Sequence, residues 1–233
     1  MKKLVFIMAG LIIMSVINAQ TLDEIVKKYT VANKFDQVAN LKTIKITGNM
    51  SVMGMDMPMV LWMKSPNKIK SVTSFNGQDM IQAYDGEKGY MINPMSGSSD
   101  PIEMTPEQVK QTLRNNIFQN SMAEYLKNGQ LTLTGEENVN DKPAFKIKAS
   151  LEGGQVIDMF VDKSSYFLVK SSTTVDMNGT SVTADSYPSD YTETSGLMMP
   201  MKTTTSAQGM DMVITFTKVE VDLPIEDTIF KVK

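Results

Sequence analysis

Thr43-Ile44-Lys45-Ile46-Thr47-Gly48-Asn49-Met50-Ser51-Val52 is the stretch that decides the fold class. Ile44, Ile46, Gly48, Met50 and Val52 fall on one side of a period-two pattern, and Lys45, Thr47, Asn49 and Ser51 fall on the other. Successive strand side chains point to opposite faces, so this alternation predicts a half-buried β-strand. Phe145, Ile147, Ala149 and Leu151 alternate in the same way with Lys146, Lys148 and Ser150. Asn76-Gly77, Asp85-Gly86, Gly153-Gly154 and Asn178-Gly179 punctuate such runs and supply the positive-φ residues that tight hairpins need. About 11 short strands joined by short loops predict a mainly β (α+β) protein built as an antiparallel meander. Open twisted sheets rarely exceed ~10 strands, so the meander is expected to curl into an incomplete barrel.

Two segments break the period. Thr21-Leu22-Asp23-Glu24 reads as a capping box, and Leu22, Ile25, Val26 and Tyr29 recur at helical spacing, predicting one helix to about Asn33. Thr105-Pro106-Glu107-Gln108 combines an N-cap, a proline at the first helical position and a capping Gln. Val109, Leu113, Ile117, Phe118, Met122, Tyr125 and Leu126 follow at helical intervals up to Asn128-Gly129. This insert is one helix, or two broken near Asn115-Asn116. An amphipathic insert must pack on a sheet face, either as a plug that completes the core or as a lid over a cavity.

The chain opens with Lys2-Lys3, an uncharged apolar run from Leu4 to Val16, and a small residue at Ala19. That order describes a secretory signal peptide over residues 1–19, too short for the ~20-residue span of a membrane helix. Residues 20–233 are then one domain, expected to be soluble and periplasmic. The chain carries 23 basic and 26 acidic residues, with no cysteine and no histidine. The leader takes two of the basic residues, and mild acidity without a basic patch argues against nucleic acid. Exported chains without cysteine owe their stability to the core. The absence of histidine removes the commonest general base and most zinc sites. No phosphate loop or metal-spaced acidic cluster stands out, and Asp158, Asp162 and Asp185 fall at outward strand phase. We therefore expect no catalysis, no cofactor and no metal.

Six of the 21 methionines lie between Met50 and Met63, and Gly54-Met55-Asp56-Met57 recurs as Gly209-Met210-Asp211-Met212. Three readings compete: core filling, a plastic apolar binding surface, or a Cu(I) site of thioethers. Met57, Met59, Leu61 and Met63 share one strand face, which core and cavity lining explain equally. Trp62, the single tryptophan, neighbours that face.

Tyr84-Asp85-Gly86-Glu87-Lys88-Gly89-Tyr90-Met91-Ile92-Asn93-Pro94 is similar to a hairpin of the LolA/LolB-like periplasmic lipoprotein carriers. Lys64-Ser65-Pro66-Asn67-Lys68, Lys142-Pro143-Ala144-Phe145 and Asp190-Tyr191 through Pro200 extend the resemblance over residues 20–233. It implies a half-barrel with helices in its mouth and an apolar cavity for a lipid or lipoprotein acyl chain, serving outer-membrane lipoprotein sorting. One departure is that the only arginine, Arg114, lies in the insert and not on an early strand. The resemblance points to Met57, Met59, Leu61 and Met63 as cavity lining and to Leu113, Ile117 and Met122 as the lid's apolar stripe. A monomer is expected, with an envelope protein as a further partner. The alternative is an envelope interaction protein of the same fold with a filled core; a cavity of several hundred Å3, on the order of known ligand pockets, distinguishes the two.

Expressed with its own leader in a bacterium with an outer membrane, the protein is predicted to begin near Gln20 and to fractionate with soluble periplasmic material. N-terminal sequencing that finds Met1 in the membrane pellet contradicts this.

Overall fold

The computed structural model describes residues 20–114, 116–177 and 180–232. The signal-peptide reading and the Asn178-Gly179 turn lie outside the described residues. Two helices open the chain, α1 (Leu22–Ala32) and α2 (Phe35–Val38). Six strands follow: β1 (Thr43–Val52), β2 (Met55–Lys64), β3 (Lys68–Phe75), β4 (Gln78–Tyr84), β5 (Gly89–Ile92) and β6 (Ile102–Glu103). The insert is two helices, α3 (Pro106–Arg114) and α4 (Ser121–Lys127). Seven more strands complete the sheet: β7 (Leu131–Val139), β8 (Lys142–Ser150), β9 (Val156–Asp162), β10 (Leu168–Met177), β11 (Thr180–Thr194), β12 (Leu197–Ala207) and β13 (Met210–Val221).

Local chemistry accounts for these boundaries. Thr21 Oγ1 accepts from Glu24 N at 3.3 Å while Thr21 N donates to Glu24 Oε2 at 3.0 Å, the reciprocal cap that starts α1. Thr105 and Gln108 make the same exchange ahead of α3, at 2.8 and 3.3 Å. Hairpins turn on residue pairs with both φ positive: Met53-Gly54, Asn76-Gly77, Asn140-Asp141, Ser195-Gly196 and Gln208-Gly209. That is the turn whose twist matches paired strands. The meander has 13 strands, more than the 11 anticipated. Two-residue β6 has no alternation to read.

The sheet runs β6-β5-β4-β3-β2-β1-β13-β12-β11-β10-β9-β8-β7, antiparallel throughout and not closed into a barrel. Two meanders, β1 to β6 and β7 to β13, are therefore joined side by side by the β1–β13 pair. Ile44 lies opposite Val221 and Val52 opposite Met212, with a register shift at Thr47/Gly48. The predicted alternation holds, since Ile44 and Ile46 are buried on the inner face. The free edges, β6 and β7, are connected in sequence by the insert, which crosses the inner side of the sheet.

Helices divide the inner face into two packed clusters. Ile25 and Val26 of α1 pack with Phe145, Ile147, Met159 and Val161 on the β8–β9 side, joined by Met122 of α4. Val38 of α2 packs with Ile44, Ile46, Met63 and Leu197 on the other side, against Leu113, Ile117 and Phe118 of the insert.

Gly48 stands where the two meanders fuse. A Cβ there would lie 2.4 Å from the Thr215 carbonyl oxygen and 3.1 Å from Phe216 Cα, both backbone atoms unable to give way cheaply. Gly48→Ala is predicted to destabilise the domain by about 3 kcal/mol or more, a loss typical of disrupted cores. Gly54→Ala, at a positive-φ turn residue with open space around it, is predicted to cost only about 1 kcal/mol. Guanidinium midpoints of the two variants check the order.

Candidate ligand cavity

Between α1, the insert and β9 to β12 lies a cavity of about 590 Å3. Its apolar wall includes Ile117, Met122, Ile157, Met159, Leu168 and Leu197. Its polar part comes from Ser171 and Thr173 of β10, Ser186 of β11, Asn33 beside α1 and Asn116 of the insert. Space exists here because the sheet offers short hydroxyl side chains at positions whose counterparts nearer β1 carry Ile and Met. Small side chains leave volume that the helices above do not fill.

The insert is a plug on one side and a roof on the other. Leu113, Ile117 and Phe118 pack onto the Ile44–Met63 cluster, while Ile117 and Met122 also face the cavity. Polar links hold the insert in place. Asn116 is buried, and its Nδ2 donates to Pro66 O at 2.9 Å while its Oδ1 accepts from Phe118 N at 3.1 Å. Asn120 Nδ2 donates to Thr30 Oγ1 of α1 at 2.8 Å, and its Oδ1 caps α4 by accepting from Ala123 N at 3.1 Å. Arg114 donates to Gln155 Oε1, and Lys110 Nζ lies 3.6 Å from Glu152. At β5, Val109 and Met104 fill the space that a side chain at Gly89 would need, with Val109 Cγ2 at 2.8 Å from an ideal Cβ. The lone arginine thus tethers the insert to the β8–β9 connection from the insert's own side.

Of the seven residues singled out in the sequence, Ile117 and Met122 line the cavity. Leu113 packs on the core cluster instead, together with Leu61 and Met63. Met57 and Met59 continue the same inner face towards the β1–β2 turn and are also buried. The strand wall of this space comes from β9 to β12, because the insert packs down on the β1–β3 side, where Leu61 and Met63 lie. The paired Gly-Met-Asp-Met runs meet across β1, since Met55 and Met212 flank Val52 from its two sides. Met53, Met55 and Met210 are exposed at this rim. Trp62 occupies the opposite face, with Lys45 Nζ at 6.0 Å from its ring centroid, so it does not report on the cavity.

Two of the strand carboxylates, Asp162 and Asp185, are held by local donors and are less solvated than outward phase suggests. Asp162 is buried, and its Oδ1 accepts from the N and Oγ of both Ser164 and Ser165, between 2.7 and 3.0 Å. Burial opposes its charge, yet these donors hold its carboxyl below the usual value. Asp185 is held low by Ser172, at 2.5 Å, and by Lys170, at 2.9 Å, against a partial desolvation. Among the described residues no group of three or more acidic side chains is placed to hold a metal, and no helix is long and apolar enough to cross a membrane.

No family profile and no curated protein matches the chain in sequence. Solved structures match in fold. A LolA superfamily protein from Nitrosomonas europaea superposes with a TM-score of 0.60 at 14% identity, covering 91% of this chain and 98% of its own. A putative outer membrane lipoprotein-sorting protein domain from Vibrio parahaemolyticus gives 0.61 at 10% identity, over 90% and 97%. A DUF1329 family protein from Desulfovibrio piger gives 0.58 at 16% identity, over 89% and 97%. The half-barrel fold implied by the hairpin motifs is the one these proteins share.

Two tyrosines of the cavity, Tyr29 and Tyr191, and Tyr166 outside it give a spectroscopic check. Desolvation pushes the Tyr29 hydroxyl up to about 12 and raises Tyr191 well above the ordinary range. Hydrogen bonds from Lys28 and Gln20, both at 3.1 Å, instead lower Tyr166. A raised tyrosine pKa means stability that is present below pH ~10 and lost as pH climbs through the folded value. Near-ultraviolet titration is predicted to show an early-ionising class including Tyr166 and a late class that ionises only with loss of the far-ultraviolet β signal. Reversible ionisation of every tyrosine near pH ~10 without unfolding contradicts the buried placement.

Proposed function

We propose that this protein is a non-catalytic lipid or lipoprotein carrier of the bacterial cell envelope, holding an acyl chain in the cavity beneath the insert. The observation that carries this reading is the space itself: about 590 Å3, with a mainly apolar wall, lying between two packed clusters of the inner face. Ligand pockets fall in the range ~300–1,000 Å3, so the cavity has the size of a site and not of a packing defect. Shared architecture with a LolA superfamily protein and a lipoprotein-sorting domain supports the cargo class. The signal-peptide pattern of residues 1–19 supports the compartment.

The energetics suit transfer. An acyl chain in a bilayer is already out of water, so the carrier need only match that environment during transit. Each methylene kept from water is worth about 0.8 kcal/mol, so a dozen contribute on the order of 10 kcal/mol against exposure. The insert supplies the cover, and its few polar links to Pro66, Thr30 and Gln155 are connections that break singly. Such hydrogen bonds contribute only ~1 kcal/mol each, so the cost of lifting the roof is set mainly by the apolar contacts of Leu113, Ile117, Phe118 and Met122.

A cavity-filling variant tests the proposal. Thr173→Trp in a Trp62→Phe background places an indole at the cavity wall, away from the insert's core contacts. A long-chain fatty acid is predicted to bind the Trp62→Phe parent stoichiometrically. In Thr173→Trp affinity falls about tenfold or more, the loss expected when a clash removes over ~1.4 kcal/mol. Thermal stability should be retained or raised. Absence of saturable binding to the parent, or binding indifferent to Thr173→Trp, argues for the interaction-protein alternative.

A further inference from the structure

The wall of the cavity has a seam. β10 and β11 pair from Met177↔Thr180 to Ser171↔Ser186 and no further, although both strands continue. Three local features end the ladder. β10 carries a bulge between Leu168 and Lys170. Pro188 of β11 has no N–H to donate. Asp190 adopts a positive φ of 56°, turning β11 away from its former partner.

Side chains close the gap. The Tyr191 ring stacks on Phe167, centroids 4.3 Å apart at 8°, and its hydroxyl donates to Leu168 O at 2.9 Å. A side chain thus takes the place of the missing backbone bond. Pro188 and Tyr191 line the inner cavity and also a second groove, of about 890 Å3, on the outer face. The two spaces are separated by these side chains and not by a hydrogen-bonded sheet.

The outer groove differs in chemistry from the cavity. Lys142, Lys163 and Lys202 border it, over an apolar floor that includes Val139, Val169 and Tyr187. Two carboxylates also line it, Asp162 and Asp190. Asp162 is turned into its own serine-rich turn, where four donors occupy Oδ1. Lys163 Nζ already holds Glu136 at 2.6 Å, which leaves Lys142 and Lys202, both exposed, as the cations offered to a ligand.

We infer that the outer groove is the headgroup subsite of an anionic amphiphile whose alkyl chain lies in the inner cavity, the two parts joined through the β10–β11 seam past Tyr191. The inference rests on the carrier reading and adds the sign of the cargo's charge and its route. An alkyl chain threading the seam displaces Tyr191 from Phe167 and from Leu168 O but breaks no backbone ladder, because β10 and β11 are not paired there. The anion gains charge-assisted hydrogen bonds from lysines that need not be desolvated beforehand.

The test uses residues 20–233 with two probes of equal chain length, cis-parinaric acid and the corresponding alcohol. The acid is predicted to bind about tenfold tighter than the alcohol, as one charge-assisted contact provides. Lys142→Glu with Lys202→Glu removes that preference and leaves the alcohol's affinity unchanged. Tyr191→Ala accelerates association of both probes, whereas Tyr191→Phe, which keeps the stack, does so less. Equal binding of acid and alcohol, or a preference that survives the double charge reversal, overturns the headgroup subsite while leaving the carrier reading intact. Failure of both probes to bind overturns both. Saturable binding of inorganic phosphate alone, lost in the double variant and non-competitive with the acid, makes the groove a free-anion site and also overturns the inference.

Discussion

The β1–β13 pair is the constraint on which the rest of the structure depends. It joins residues about 170 positions apart, as in the Thr217 Oγ1 bond to Thr47 O at 3.1 Å. Every other pairing in the sheet links strands adjacent in sequence. The entropy of closing so long a loop grows only logarithmically, and burial of Ile44, Ile46 and Val219 along the pair offsets it. Once the two meanders are fused, their outer edges, β6 and β7, are also the ends of the segment that contains the insert. That segment has to cross the sheet, and its apolar residues Leu113, Ile117, Phe118 and Met122 put the insert on the inner face. A Cβ at position 48 collides with the backbone at the place where this fusion must be tightest.

The interior is filled unequally, and side-chain size explains why. Near β1 the inner face carries Ile44, Ile46, Met63 and Ile69, which meet Leu113 and Phe118 and leave no room. Near β10 and β11 it carries Ser171, Thr173 and Ser186, too short to reach the helices. Two packed clusters therefore supply folding free energy, and the short side chains between them keep a volume. Methionine serves the first task at Met57, Met59 and Met63, where flexible side chains fill a curved surface. The rim of exposed Met53, Met55 and Met210 follows from the two hairpin tips meeting across β1.

Much of the wall was legible in the amino-acid sequence, because period-two alternation and turn pairs are local signals. Both capping boxes were legible for the same reason, and Asn128-Gly129 ends α4 as the glycine predicts, with Gly129 at a φ of 67°. The cavity was only half legible. Helical spacing gave the insert an apolar stripe that includes Ile117 and Met122 but left plug and lid open, and the choice of wall was hidden because Met57–Met63 is the more continuously apolar run, while Ile157–Leu168 is broken by Asp158, Asp162 and Lys163. What selects β9 to β12 is where the insert lands, and Asn116 to Pro66 and Asn120 to Thr30 set that across 50 and 90 positions. Asn116 reads as a helix breaker in sequence, and its role as a buried fastener appears only in three dimensions. The seam was invisible as well, although Pro188 within a run of strand residues is the kind of signal that marks an interrupted ladder.

An acyl chain held between the insert and β9 to β12 is what the proposed function requires. Native mass spectrometry of the protein purified from its own envelope, without detergent, tests this most directly. The expected result is a folded species carrying one additional lipid mass, released on denaturation. A single species at the mass of the bare polypeptide, folded and stable, would contradict it.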